Sequence, residues 1–474
     1  MHDEKNTLLF LMRKNKTYII LFSSFFAAFL VLSCQKKEIF TKSIEVCPHY
    51  NCADATVIQV TDQYFPPKHR FVRDDSRKYS AVWAEFLAFK YNVPLHVFEQ
   101  NVKGEEFRGF LQTGRGGASI YYPSCHFEYR QSKLDSIKAE IENVTCRTIS
   151  TLSYGCGKTK YSDSLPNYIL GGRNSKFMSL SNNTEANTWY GEGVSAPEDF
   201  NILNRSAGGR FYTDIQRNNQ NLAQAGNYVT EQVSKTVANG GFYTNFMHWH
   251  DHYNNKNDSL IEGVTVMQPL FKAMQKGMKN SRNAGLDYNE AIEYLYAKEA
   301  IDSVQILEST SSVLKIAIQL SKKRNADYSV IDTPVTFSVR KDAMEAFEID
   351  EVDLNTKLLS VFEDDDRYYL NIMLDFTQSE IIVTLHSKKD RVEILELEEA
   401  LRVSKRWFVN GVKASEPSKF ILFRREQGAK EYEIEIVHRT VSFSEKYDLP
   451  ELDEGYDYFC GAIDKKKEST LIEL

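Results

Sequence analysis

Three of the chain's ten histidines fall within five positions: His248, His250 and His252, with Trp249 and Asp251 between them. They follow Gly240-Gly241-Phe242-Tyr243-Thr244-Asn245-Phe246-Met247, an apolar approach that reads as a strand. A strand that ends in imidazole and carboxylate brings acid, base or metal chemistry to the mouth of an α/β barrel. On a strand, residues i and i+2 share a face, so His248 and His250 could chelate one zinc, with Asp251 or His252 joining after a turn. In the other reading one histidine serves as a proton donor.

A second group is acidic. Asp74 and Asp75, in Arg73-Asp74-Asp75-Ser76, end a candidate strand. Adjacent strand residues point to opposite sides, so one carboxylate could hold a metal while the other deprotonates a water. The same pair also reads as a cap on the helix that follows. Gly155-Cys156-Gly157-Lys158-Thr159 has the end of a phosphate-binding loop, but Leu152 stands where that pattern requires glycine, so a nucleotide is not expected. Gly171-Gly172-Arg173 reads as a loop turn with a solvated arginine.

The elements that position these residues change period along the chain. From Val57 to about Ala300 short apolar strands alternate with amphipathic helices, as in a parallel α/β core. Tyr79, Val82, Trp83, Phe86 and Phe89 predict a helix that stops before Val93-Pro94, and Leu95 to Phe98 is the next strand. Leu134, Ile137, Ile141 and Val144 predict a second helix, Ile149 to Tyr154 a strand, and Ala291 to Ile301 the final helix. The alternation fits a barrel and also a doubly wound sheet. Beyond it, alternating Leu314, Ile316, Ile318 and Leu320, then Val335 to Val339, Tyr368 to Leu374 and Ile381 to Leu385, predict a β-sandwich. Strands continue through Trp407-Phe408-Val409, the Asn410-Gly411 hairpin signal, Phe420 to Phe423 and Tyr432 to Val437.

The Asp74-Asp75 element, its sequel Lys90-Tyr91-Asn92-Val93-Pro94, the strand end Leu152-Ser153-Tyr154-Gly155-Cys156-Gly157 and the late Gly240-Gly241 to His248 strand together resemble the polysaccharide deacetylases, the NodB-homology domain of carbohydrate esterase family four. The resemblance covers roughly residues 57 to 300. It implies a NodB-like (β/α) barrel and metal-assisted removal of an acetyl group from a polysaccharide. Asp74 would be the general base, Asp75 and His126 would hold a divalent metal, zinc by preference, and His248 would protonate the leaving group. Tyr154 would support the oxyanion. Apart from the family pattern, in which His250 and His252 have no place, the ring of Trp249 offers a sugar a broad apolar face, and Tyr122 and His250 are further candidate substrate contacts. The family's His-x-x-x-His pair reads here Tyr122-Pro123-Ser124-Cys125-His126, so tyrosine occupies the first ligand position. That departure opens an alternative, a glycan-binding relative without activity. His248-Trp249-His250-Asp251-His252 also looks like the metal motif of metallo-β-lactamase-fold hydrolases, one residue short.

The N-terminus carries an address. Arg13, Lys14 and Lys16 precede an uncharged stretch to Cys34, which closes Val31-Leu32-Ser33-Cys34. This resembles the lipobox of bacterial lipoproteins, and implies a lipid on Cys34 and an outer-membrane lipoprotein, cell-surface or periplasmic. An exported address permits disulfides, and Cys47 and Cys52 could pair. The domains expected are a signal peptide 1–33, a linker 34–56, the deacetylase-like barrel 57–302, a β-sandwich 303–390 and a β-rich region 391–474. With 474 residues, 42% hydrophobic and 26% charged, the chain is globular and long enough for several cores. A net charge of −7 without a basic run in the body excludes nucleic acid as the expected partner. The partners that remain are a polysaccharide substrate and, through the lipid, a membrane.

Overall fold

The computed structural model describes residues 43–62, 80–100, 110–111, 115–122, 128–145, 147–154, 165–174, 221–238, 240–248, 266–310, 313–322, 326–343, 349–352, 357–387, 417–439, 452–464 and 467–474. The first strand, β1 (Ile44–Val46), is followed by β2 (Thr56–Asp62), whose β-branched Thr56, Val57, Ile58, Val60 and Thr61 favour an extended chain. Helix α1 (Ser80–Tyr91) comes next, and it ends where Asn92 takes a left-handed φ of 53° ahead of Val93-Pro94. Strands β3 (Leu95–Glu99) and β4 (Gly116–Tyr121) lead to α2 (Gln131–Thr145), which buries Leu134, Ile137 and Ile141 at the anticipated spacing. Then come β5 (Thr151–Tyr154), β6 (Gly171–Asn174), α3 (Leu222–Ala238), β7 (Phe242–His248), α4 (Met267–Met278) and α5 (Tyr288–Glu299).

The six strands β2 to β7 form one parallel sheet in the order β6-β5-β4-β3-β2-β7. Five successive strands step in one direction, and the last returns to flank the first. The sheet is a curled half-barrel with β6 and β7 at its edges, compatible with part of the anticipated barrel. One face packs against α1 to α4 through Val57, Val97, Ile120 and Leu152. The opposite, concave face carries Ile58, Val60, Phe98 and Phe242, and α5 fills it with Tyr288, Ile292 and Tyr294.

Helix α5 is buried around most of its circumference, as a helix with apolar residues on every side must be. It starts with a capping box: Asp287 accepts from the Glu290 amide while Glu290 accepts from that of Asp287. Two glycines let it approach. A Cβ at Gly171 would lie 2.9 Å from Ile292 Cγ2, and one at Gly117 would overlap the Asp287 carboxylate. Gly171-Gly172-Arg173, expected as a loop turn, is therefore part of strand β6, and its first glycine is there for helix packing.

Strand β8 (Ile301–Ser309) begins directly after α5, slightly ahead of the domain border expected at 302–303. With β9 (Val313–Leu320), β11 (Ile349–Val352) and β14 (Glu380–Ser387) it forms the sheet β11-β14-β9-β8. The second sheet, β1-β10-β13-β12, combines β10 (Val335–Arg340), β12 (Lys357–Glu363) and β13 (Arg367–Met373) with β1. Ile316, Ile318, Val383 and Leu385 from one and Phe337, Val339, Leu370 and Ile372 from the other share a single apolar cluster, so the two make a sandwich. Its edge strand β1 comes from the stretch expected as a linker, pairing Ile44 with Val339. Three residues are too short for a sequence signal.

A third antiparallel sheet, β16-β15-β17-β18, contains β15 (Pro417–Glu426), β16 (Glu435–Arg439), β17 (Tyr456–Asp464) and β18 (Ser469–Glu473). It packs on the outer side of α1, where Phe86 meets Phe423 and Phe459 edge-on, each at 5.3 Å between ring centres. Each such pair contributes about 1 kcal/mol beyond its buried area. The hairpin signal at Asn410-Gly411 lies outside the described residues. No helix among the described residues is long and apolar enough to cross a membrane.

Candidate functional site

In a parallel sheet every strand ends on the same side, and ligands of open α/β sheets bind outside those carboxyl ends. Along that edge the strands terminate in Asn174, Tyr154, Tyr121, Glu99, Asp62 and His248. Asp62 and His248 are register partners in the β2–β7 ladder, which runs unbroken from Thr56 and Phe242. Within these strands Ile58, Val60 and Phe242 line the concave face. Glu99 falls on the other face; it is buried, and its Oε1 accepts from the Gln100 amide at 2.8 Å.

Below this edge the two strands are tied by side chains. Asn245 Nδ2 donates to Gln59 Oε1 at 2.7 Å, and Gln59 Nε2 donates to the Val60 carbonyl at 2.9 Å. Gln59 and Asn245 are direct partners and buried, so the amide pair fixes the register of β2 on β7. A slip by one residue would strand both amides and move Asp62 away from His248.

Tyr122 follows β4 at the position the family pattern gives to a metal ligand. Its backbone N–H donates to the Ser153 carbonyl at 3.0 Å. Its hydroxyl accepts from the Arg130 amide at 2.8 Å and donates to the Glu128 carbonyl at 3.1 Å, with the side chain 4% exposed. The hydroxyl is committed to the chain that leads into α2. Tyr122 clamps the loop that leads into α2.

Of the other anticipated site residues, Tyr154 ends β5 and His248 ends β7. Asp74, Asp75, His126, Trp249, His250 and Cys34 lie outside the described residues. The strand preceding α1 is described to Asp62, earlier than the end expected at residues 73–76. Asp62 is the carboxylate that sequence reasoning passed over. Its signal was there: a single acid closing the β-branched run from Thr56 to Thr61, without the doubled Asp that drew attention further on. Among the described residues no group of three or more His, Cys, Asp or Glu could hold a metal ion.

The opposite, amino-terminal side of the sheet carries a buried polar cluster. His96 Nδ1 lies 3.5 Å from Asp287 Oδ1, and Arg147 reaches Asp287 at 3.2 Å and Glu290 at 2.9 Å. Lys467, from the turn between β17 and β18, pairs with Glu290 at 2.6 Å. Burial raises the Asp287 carboxyl, but the neighbouring His96 and Arg147 outweigh it and hold the group well below the usual carboxylate range. Glu293, one turn on, accepts from Ser150 Oγ at 2.8 Å and Asn289 Nδ2 at 2.6 Å on one oxygen, and from the Asp332 amide at 3.0 Å and Thr333 Oγ1 at 2.8 Å on the other. Burial dominates even so and pushes its carboxyl up to about 8. Rigid geometry at this end serves stability, because ligands of open parallel sheets bind outside the carboxyl ends of the strands. The cluster joins the sheet, α5, the sandwich loop at 331–334 and the C-terminal sheet.

No family model matches the chain, and neither a curated protein nor a solved structure matches it.

Proposed function

We propose that the protein is a hydrolase that removes acetyl groups from an extracellular or cell-wall polysaccharide, held at the outer membrane by a lipid on Cys34. The observation that carries this reading is the register of Asp62 with His248 at the carboxyl end of the parallel sheet. Deacetylation of an amide or ester needs a base for the attacking water and an acid for the departing amine or alcohol. Neighbouring strands stand about 4.8 Å apart, so a carboxylate and an imidazole at adjacent strand ends can serve one scissile bond. Asp62 joins or replaces Asp74 as the base in this reading, and His248 keeps its part as the acid. The NodB-like character of the half-barrel belongs to the proposal, supported by the return of the last parallel strand beside the first.

A divalent metal, zinc, is the cofactor this chemistry would draw on, to polarise the acetyl carbonyl. Asp75 and His126 are its proposed ligands. Tyr122 supplies none, because its hydroxyl is bound to backbone. That loss favours a second reading, a protein that still binds the glycan but no longer cleaves it.

Acetate release from partially acetylated glycans, with zinc analysis of the same preparation, separates the readings. Turnover that falls in Asp62→Asn and in His248→Ala is the expected result. Glycan retention without acetate release supports the binding reading, and turnover that survives both substitutions rejects the assignment of roles.

A further inference from the structure

The chain between β1 and β2 is closed into a ring by the Cys47–Cys52 disulfide. The ring Cys47-Pro48-His49-Tyr50-Asn51-Cys52 is bonded on all sides to other parts of the molecule. Toward the sandwich, the Asn51 amide donates to Thr336 Oγ1 at 2.8 Å, and Asn371 Nδ2 donates to Asn51 Oδ1 at 2.8 Å. Toward the half-barrel, His49 Nε2 donates to the Gly240 carbonyl at 2.8 Å, and its Nδ1 accepts from Thr56 Oγ1 at 2.9 Å. Gly240 and Thr56 stand at the starts of β7 and β2, so one imidazole spans the pair of strands whose other ends carry His248 and Asp62. Toward α5, Tyr294 Oη donates to the Cys47 carbonyl at 3.0 Å.

The ring holds this set of contacts in a backbone that a free chain has little reason to adopt. Asn51 and Cys52 have φ of 57° and 49°, the left-handed region. Asparagine tolerates it; cysteine rarely enters it, and it persists where the surroundings over-determine it. The disulfide is the covalent part of that constraint. Apart from the ring, β1 is joined to the sandwich by three residue pairs.

We propose that the Cys47–Cys52 ring is a thiol-sensitive latch that fastens the β-sandwich to the β2–β7 strand pair. Cys47 is buried at 1% exposure while Cys52 is half-buried, so the reachable sulfur is that of Cys52. A thiolate of a dithiol reductant attacks Cys52 Sγ, the sulfur–sulfur bond breaks, and Cys47 leaves as a thiolate that takes up a proton. The reductant's second thiol then displaces Cys52 from the mixed disulfide. Two protein thiols are formed and the reductant becomes a disulfide, a transfer of two electrons. The ring relaxes, and with it the grip of Asn51 on Thr336 and Asn371.

The test is limited proteolysis of the full chain with and without dithiothreitol, with the state of the thiols read by alkylation and mass analysis. Reduction is expected to speed cleavage of the chain between β1 and β2, at residues 47–55, by about tenfold or more, as the open form becomes populated. The paired Cys47→Ser, Cys52→Ser variant is expected to cleave as fast as reduced wild type and to ignore dithiothreitol, which controls for the other cysteines. A socket variant, Thr336→Val with Asn371→Leu, keeps the disulfide and is expected to cleave fast without reductant. Confirmed reduction of Cys47 and Cys52 that leaves the cleavage rate unchanged overturns the latch, as does a socket variant that cleaves as slowly as wild type.

Discussion

Asp62 on β2 and His248 on β7 are direct register partners, and each is the last described residue of its strand. The two come from distant parts of the chain and meet because the last parallel strand returns to the first. In the proposed chemistry they are a base and an acid. Asp62→Asn and His248→Gln are each expected to lower acetate release by a factor of about 10² to 10⁴, the usual contribution of a positioned proton-transfer group, with the melting temperature unchanged. If Asp74→Asn abolishes release and Asp62→Asn leaves it intact, the base lies beyond the strand end.

The packing of α5 against the sheet rests on the missing side chain at Gly117. A methyl group there would displace the Asp287 carboxylate, which caps α5 and pairs with Arg147. Gly117→Ala is expected to destabilise the fold by about 1–3 kcal/mol through overpacking, and further through the lost cap. Thermal unfolding reads this directly, and an unchanged melting temperature would mean that α5 sits further from β4.

Glu293 makes stability depend on pH in an unusual direction. Its carboxyl is raised from 4.5 to about 8 in the folded protein, so the folded state binds more protons than the unfolded one between those values. Stability therefore falls as pH rises through that window. Glu293→Gln keeps the size and much of the hydrogen bonding, and is expected to flatten the decline between pH 6.5 and about 8 in urea titrations.

His49 works in the opposite sense. Burial, the largest influence, lowers its imidazole from 6.5 to about 4. The neutral form is the one that accepts from Thr56, so its stabilising effect is complete above 6.5 and fades as pH falls toward 4. His49→Gln is expected to lose stability at neutral pH but to show a shallower acid decline. An acid limb as steep as that of wild type would assign the loss to other groups.

The C-terminal sheet is fastened to α1 by a buried charge. Glu85 is fully buried, and Arg439 on β16 meets it at 2.5 Å. Removing only the arginine takes its cation away from a buried carboxylate, so Arg439→Ala is expected to destabilise by up to about 3–5 kcal/mol, whereas Arg439→Met with Glu85→Gln should cost less. A double-mutant cycle by chemical denaturation gives the coupling.

What could be read from residue order was what repeats. The helix at 131–145 shows in Leu134, Ile137 and Ile141, and the sandwich strand at 313–320 in the alternation of Leu314, Ile316 and Ile318, because each buries one face. The disulfide was legible from the spacing of Cys47 and Cys52. Location was harder. Nothing in Tyr288 to Glu299 says that this helix lies on the concave side of the sheet, since being apolar all round marks burial and not a neighbour. Asp62 was obscured because Gln59 and Thr61 interrupt the apolar run; Gln59 is polar because it is bonded across to Asn245. Tyr122 is held by carbonyls at 128 and 130 that no spacing rule connects to it, and the strand Gly116–Tyr121 before it has too many small residues to show in the sequence.

The helix that fills the concave face of the sheet also orders events during synthesis. Strands β2 to β7 are complete by residue 248, yet the surface they must bury waits for residues 288 to 299, and β1 waits for its partner at 335–340. A nascent chain halted before residue 288 would carry an apolar sheet face without its helix, the kind of surface that favours aggregation. Contacts this distant in the chain also make for slow folding. The early strands are thus completed only once the later segments that cover them have been made.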